Sequence, residues 1–212
     1  MLRLRYWMSV AVLAPLAVAG TVARAEDQAP GLKLGATAPA MDVKMLGVDG
    51  KQVAIEDLPT AKGRLVVFTC NACPWAKAWE ERIVTLGNTW SKKGVGVIAI
   101  NSNDPAVAAD DGYDTMKARA QQRGMKYAYV VDETSEVARE FGATRTPEAY
   151  VFDADGKLVY HGTIDDNAHE PGKVKARYLD DALKAMAAGK TIATAETKAL
   201  GCSIKFRKKE SS

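Results

Sequence analysis

Two cysteines separated by two residues, Cys70 and Cys73, are the side chains of this 212-residue sequence whose type and spacing carry chemistry. A Cys-x-x-Cys pair brings both sulfurs within one turn of chain, so it can pass between dithiol and disulfide without unfolding its surroundings. Leu65-Val66-Val67-Phe68 precedes the pair and reads as a strand buried on both faces. After it, Trp75, Trp79, Ile83, Leu86 and Trp90 recur at helical spacing with Glu80-Glu81 on the other side, and Pro74 suits a first helical turn. A strand that hands the pair to a helix N-terminus sets a sulfur against unpaired N–H groups and the positive end of the helix dipole. Cys70 is therefore expected to be the low-pKa, solvent-reachable attacking thiolate, with Cys73 the resolving thiol buried behind it. A structural disulfide or half of a zinc site are the competing readings. Zinc needs a second ligand pair, and Cys202, His161 and His169 stand at no matching spacing, so no metal is expected. The only redox group expected is the Cys70–Cys73 disulfide itself.

The elements that must position this pair alternate along the chain. Met41 to Leu46 and Gln52 to Ala54 flank an Asp49-Gly50 turn, an N-terminal hairpin signal. Strands are expected over 65–68, 95–100 and 127–131, and helices over 113–123 and 133–141, ended by Gly124 and Gly142. Ala149 to Phe152 and Leu158 to Ile164 flank Asp153-Ala154-Asp155-Gly156 as a second hairpin, and an amphipathic helix spans 175–188. The expected fold is α/β in three layers, a mixed central sheet with helices on both faces.

Composition narrows the function. The chain carries 29 Lys+Arg, 26 Asp+Glu and 47% hydrophobic residues. Arg3 and Arg5, the uncharged stretch Met8 to Gly20 and Ala23-Arg24-Ala25 read as a signal peptide over residues 1–25. An uncleaved anchor is the alternative, but 13 residues fall short of the roughly 20 that span a bilayer. The remaining chain is charge-balanced, which excludes a nucleic-acid binder. The expectation is a periplasmic or secreted protein with no membrane anchor after cleavage, built as one domain over 26–189 and a tail over 190–212 that packs on it. Three cysteines cannot form a disulfide scaffold for this length.

Thr146-Pro147 stands just before the strand at 149, where a proline belongs to a turn or a strand start. Phe68-Thr69-Cys70-Asn71-Ala72-Cys73-Pro74, Ala99-Ile100-Asn101-Ser102-Asn103-Asp104, Thr146-Pro147-Glu148, Gly162-Thr163-Ile164-Asp165-Asp166 and Gly201-Cys202-Ser203-Ile204-Lys205 occur in the order of one family. Together they resemble a peroxiredoxin-like branch of the thioredoxin superfamily, the redoxin or alkyl-hydroperoxide-reductase-related proteins. The resemblance implies a thioredoxin-like fold and a cis proline at Pro147 beside the cysteine pair. It also implies substrate docking on the Thr146 backbone, with Trp75 as adjoining contact surface or core. Many relatives have histidine where this chain has Ala72. A peroxidatic cysteine in that family follows Pro-x-x-x-Thr/Ser-x-x-Cys, and counting back from Cys70 those positions hold Val67 and Gly63.

Three functions remain: an exported thiol–disulfide oxidoreductase acting on protein or small-molecule disulfides, a thiol peroxidase with an antioxidant role, and a copper-delivery protein. The partners expected are thiols, disulfides and a redox partner. Asp104, Asp110, Asp111 and Asp114 read as a solvated loop supplying one N-cap, with a calcium site as the alternative, and Asp165-Asp166 as a solvated turn. Cys202 is left over. It is a buried anchor for the tail, a third redox thiol exchanging with the pair, or half of an intermolecular disulfide. The residues after it, Ser203 to Phe206, alternate like a short terminal strand, and the basic run Lys205 to Lys209 reads as a solvated tail.

Overall fold

The structure is a computed structural model that describes residues 31–208. The expected signal peptide, residues 1–25, lies outside the described residues. Nine strands and four α-helices follow in order: β1 (Met45–Gly47), β2 (Gln52–Val53), β3 (Arg64–Phe68), α1 (Pro74–Ser91), β4 (Gly96–Asn101), α2 (Tyr113–Arg123) and β5 (Ala128–Val131). Then come α3 (Glu136–Phe141), β6 (Arg145–Thr146), β7 (Glu148–Phe152), β8 (Leu158–Gly162), α4 (Tyr178–Ala187) and β9 (Cys202–Ser203). Seven strands form one sheet in the order β2-β1-β5-β4-β3-β7-β8, and β6 pairs with β9 apart from it. The neighbours β3, β4 and β5 run parallel, while β1, β7 and β8 are antiparallel to their partners, so the sheet is mixed.

The two-residue period of a strand explains the three layers. On β3, Leu65 and Val67 face α1 and α4, whose Trp79, Ile83, Trp90, Leu179 and Leu183 bury against them. Val66 and Phe68 face the opposite way, onto Val137 and Phe141 of α3. Ala99 and Tyr129 continue the first face under α2 through Met116 and Ala120. On the α3 face Phe141 meets Phe68, Tyr150 and Phe152 edge-on at centroid distances of 5.2, 5.3 and 6.1 Å, the arrangement ring quadrupoles prefer.

Local chemistry sets the boundaries. Helix α2 stops where Gly124 takes a left-handed conformation at φ 63° and its N–H caps the last turn. The N-terminal hairpin forms around Asp49-Gly50, but its first strand begins at Met45 rather than Met41, because Val43 closes a turn on Ala40 instead of pairing.

The tail is tied down along its described residues. Thr197 N–H donates to the His161 carbonyl, and its hydroxyl accepts from Thr163 N–H. Ile204 is buried, Lys205 N–H donates to Asn103, and Arg207 N–H donates to Ser135 Oγ. The basic run is thus partly docked rather than freely solvated, with Phe206 under the Arg139 guanidinium. The terminal strand expected over 203–206 is instead the pair Cys202–Ser203.

Candidate active site

Strand β3 ends at Phe68 and α1 begins at Pro74, so Cys70-Asn71-Ala72-Cys73 forms the connecting loop. Cys73, not Cys70, is the residue at the helix N-terminus. It caps α1 in extended conformation, Pro74 takes the first helical position, and Cys70 stands three residues outside the helix. This reverses the order expected from sequence. Neither thiol is the solvent-reachable one expected of Cys70, since Cys70 is 6% exposed and Cys73 4%.

Electrostatics follow the geometry. The Cys73 thiol is held down at about 4, first by the hydrogen bond from Cys70 and further by the Cys202 side chain and the backbone N–H groups of Ala76 and Cys202, which outweigh burial. Cys70 is pushed well up, first by that same hydrogen bond to Cys73, then by burial and by the negative charge of Asp111. The two sulfurs titrate as a unit.

Thr146 sits against both. Cys70 Sγ lies 3.3 Å from Thr146 Oγ1, and Cys73 Sγ lies 3.1 Å from the Thr146 carbonyl, to which its thiol donates when protonated. The Thr146–Pro147 bond is cis. The strand edge at Thr146 is already occupied, because Cys202 of β9 stands opposite it in register. Trp75 packs beside the thiols and stacks 5.7 Å from Trp79, with His169 5.1 Å away. Cys202 packs against the same cluster of Cys70, Cys73 and Ala76. All three cysteines are free thiols.

The residue that sequence reasoning misplaced most is Asp111. It is not a solvated loop carboxylate but is 2% exposed beneath the cysteine loop. Its Oδ1 accepts from the N–H groups of Asn71 at 2.6 Å and Ala72 at 3.2 Å, and its Oδ2 accepts from Asn103 Nδ2 at 2.8 Å. The two residues between the cysteines are therefore fixed by one buried carboxylate, and Tyr129 OH donates to Asn71 Oδ1 on the other side. The signal lay in Asn101 and Asn103 at the end of β4, polar residues in an otherwise apolar run that need a buried partner. Asp165 is likewise buried rather than part of a solvated turn. It accepts from Trp79 Nε1 at 2.7 Å and pairs with Arg82. Farther along the sheet, Glu148 accepts from Thr144 and Arg145 N–H and bonds His161 Nε2 at 2.7 Å, so its carboxyl stays below the usual range despite burial. Among the described residues, no cluster of three or more His, Cys, Asp or Glu side chains is placed to hold a metal ion.

A central mixed sheet between helices, with a Cys-x-x-Cys loop at a helix N-terminus against a cis proline, defines a member of the thioredoxin superfamily. Within it, the chain belongs to the AhpC/TSA family, whose model matches residues 34–161. The chain is 23% identical over 158 residues to the thiol-disulfide oxidoreductase ResA of Halalkalibacterium halodurans, covering 74% of this chain and 85% of that protein. Among solved structures, an uncharacterised conserved protein from Geobacillus kaustophilus is 36% identical with a TM-score of 0.77, covering 85% of this chain and 94% of its own. A thioredoxin-like protein solved in its oxidised form shares the fold at 19% identity and a TM-score of 0.61, covering 75% of this chain and 99% of its own.

Proposed function

We infer that this protein is an exported thiol–disulfide oxidoreductase that exchanges the Cys70–Cys73 pair with protein or small-molecule disulfides. The observation that carries the reading is a buried Cys-x-x-Cys pair at the N-terminus of α1, with both sulfurs held against Thr146. The similarity to a curated thiol-disulfide oxidoreductase agrees with it, and the sequence of residues 1–25 supports export to the periplasm or beyond.

The order of events follows from the two thiols. The Cys73 thiolate attacks a substrate disulfide, a Cys73–substrate bond forms, and the substrate's other sulfur leaves and takes up a proton. Cys70, deprotonated in turn, then attacks Cys73. The Cys70–Cys73 bond forms, the second substrate thiol leaves, and the pair has given two electrons. Cys70 is held protonated chiefly by its bond to Cys73. Once Cys73 is tied to substrate that hold is gone, so Cys70 becomes easier to ionise at the step that needs it. Asp111 keeps the loop rigid throughout by holding two of its N–H groups.

Peroxide reduction fits the residues less well. Counted back from Cys73, the peroxidatic template positions hold Cys70 and Val66, so a thiol replaces the hydroxyl and the proline is missing. The test is a paired assay of insulin reduction and hydrogen peroxide consumption, both with dithiothreitol as donor. Insulin reduction without peroxide turnover is expected, with Cys73→Ser inactive and the double variant Cys70→Ser/Cys202→Ser accumulating mixed disulfides with substrate. Peroxide turnover without disulfide reduction refutes the assignment, and mixed disulfides accumulating in Cys73→Ser instead would restore Cys70 as the attacking thiol.

A further inference from the structure

We propose that Cys202 is a third redox thiol of this site, one that exchanges with Cys70 for the disulfide to Cys73. The proposal rests on the reading of Cys70 and Cys73 as a redox pair.

The odd cysteine of the tail did not come to rest at random. It packs against Cys70, Cys73 and Ala76, close enough to Cys73 that each sulfur shifts the ionisation of the other. Trp75 N–H is directed at the Cys202 sulfur in turn, which helps that sulfur carry charge. Strand β9 brings it there by pairing with β6, so that Cys202 stands opposite Thr146, the residue whose hydroxyl and carbonyl contact the two other sulfurs.

A second observation shows that this approach is built in. Gly201 passes so close to Thr146 that a Cβ on it would lie 2.1 Å from the Thr146 carbonyl oxygen and 2.7 Å from its carbon. Those are backbone atoms and cannot turn aside. Only glycine at 201 lets the tail reach the site, and the residue it delivers is a thiol. Ile204, buried in the core, and Lys205, bonded to Asn103, fasten the segment on the far side. Cys202 itself is half-buried, so it lies at the solvent side of a pair that is otherwise closed off.

The step balances without an external oxidant. The Cys202 thiolate attacks the Cys73 sulfur of the Cys70–Cys73 disulfide. The Cys73–Cys202 bond forms as the Cys70–Cys73 bond breaks, and the electron pair departs on Cys70, which takes up the proton that Cys202 released. One disulfide and one thiol stand on each side of the exchange. In the second form the tail is stapled over the Thr146 edge, and Cys70 is free. The protein thus holds one disulfide, two oxidising equivalents, in two arrangements, one with that edge closed covalently and one with it held only by hydrogen bonds.

Trypsin separates the two arrangements. Residues 65–77 carry Cys70 and Cys73 together, and residues 199–205 carry Cys202. The full chain is oxidised with glutathione disulfide, quenched in acid, alkylated, digested and read by mass spectrometry, with a non-reducing gel to confirm monomer. A cross-link between the two peptides is expected beside the disulfide internal to 65–77. In Cys70→Ser the cross-link becomes the main product. In Gly201→Ala the added methyl pushes β9 off Thr146 and the cross-link yield falls by about 10²-fold, while the internal disulfide remains. Wild type with no cross-link, or Cys70→Ser carrying glutathione on Cys73 and a free Cys202, overturns the proposal while leaving the redox pair intact. Failure of the pair itself looks different, with no internal disulfide in the wild type. The wild-type measurement stands alone if either variant does not fold.

Discussion

The assignment of Cys73 as the thiolate can be tested by the pH dependence of alkylation. A pKa of about 4 leaves Cys73 ionised throughout the range from pH 5 to 9. Cys202, pushed up to about 11 by burial and by the neighbouring Cys73 sulfur, is ionised to about one part in 10⁶ at pH 5 and one in 10² at pH 9. Thiolates of lower pKa are also weaker nucleophiles, with a Brønsted slope of about 0.4–0.5. Over the roughly seven units between these sulfurs that penalty is about 10³-fold. With equal access, Cys73 should react about 10³ times faster than Cys202 at pH 5 and about tenfold slower at pH 9. Burial scales each rate by a constant factor, so the ~10⁴-fold change in the ratio is the diagnostic quantity. The assay is iodoacetamide labelling of the reduced protein at a series of pH values, with fragmentation of peptide 65–77 to distinguish its two cysteines. A flat rate at Cys73 beside a tenfold rise per pH unit at Cys202 is expected. A Cys73 rate that itself climbs tenfold per unit between pH 5 and 7, or a flat rate at Cys70, refutes the reasoning.

Three other outcomes follow from the same contacts. Asp111→Asn removes one of the charges that raise Cys70, so the two ionisations of the pair should move closer together in an ultraviolet thiolate titration; an unchanged separation would remove Asp111 from the electrostatics. Asp165→Ala leaves Trp79 Nε1 without its buried acceptor and leaves Arg82 with only its backbone carbonyl partners, and should cost about 1–3 kcal/mol in urea unfolding, because a buried donor goes unsatisfied. The reduced protein should gain stability relative to the oxidised protein as pH rises from about 4 toward the unfolded cysteine value, since a depressed pKa stabilises above that value and is lost as pH falls through the native one. Above about pH 8.5 the trend should reverse, because the unfolded Cys70 thiol ionises while the native one stays protonated. Denaturant midpoints of the two redox forms across that range would show both slopes or neither.

Much of the architecture is legible in short stretches of chain. The apolar runs at β3, β4 and β7 announce strands buried on both faces, and the structure leaves their Val66, Ile98 and Tyr150 with no exposed surface. Helix α2 falls on the residues that periodicity and Gly124 mark, because a left-handed glycine is a local event. Even the reversed order of the thiols had a local sign. A proline at the first helical position makes the residue before it the cap, which is Cys73.

What determined the chemistry of the thiols lies far along the chain. Asp111 reaches the loop across 40 residues and Thr146 reaches Cys73 across 73, and Cys202 arrives only when the tail pairs with β6. By itself the sequence of this protein determines most of the elements and the fold class and points to the Cys70–Cys73 pair, because period, turn residues and spacing act between near neighbours. The tertiary structure alone decides that Asp111 is buried beneath the cysteine loop and that Cys202 packs beside the pair. Charge and hydrogen bonding act through space over a few ångströms, and chain distance carries no record of which residues will meet.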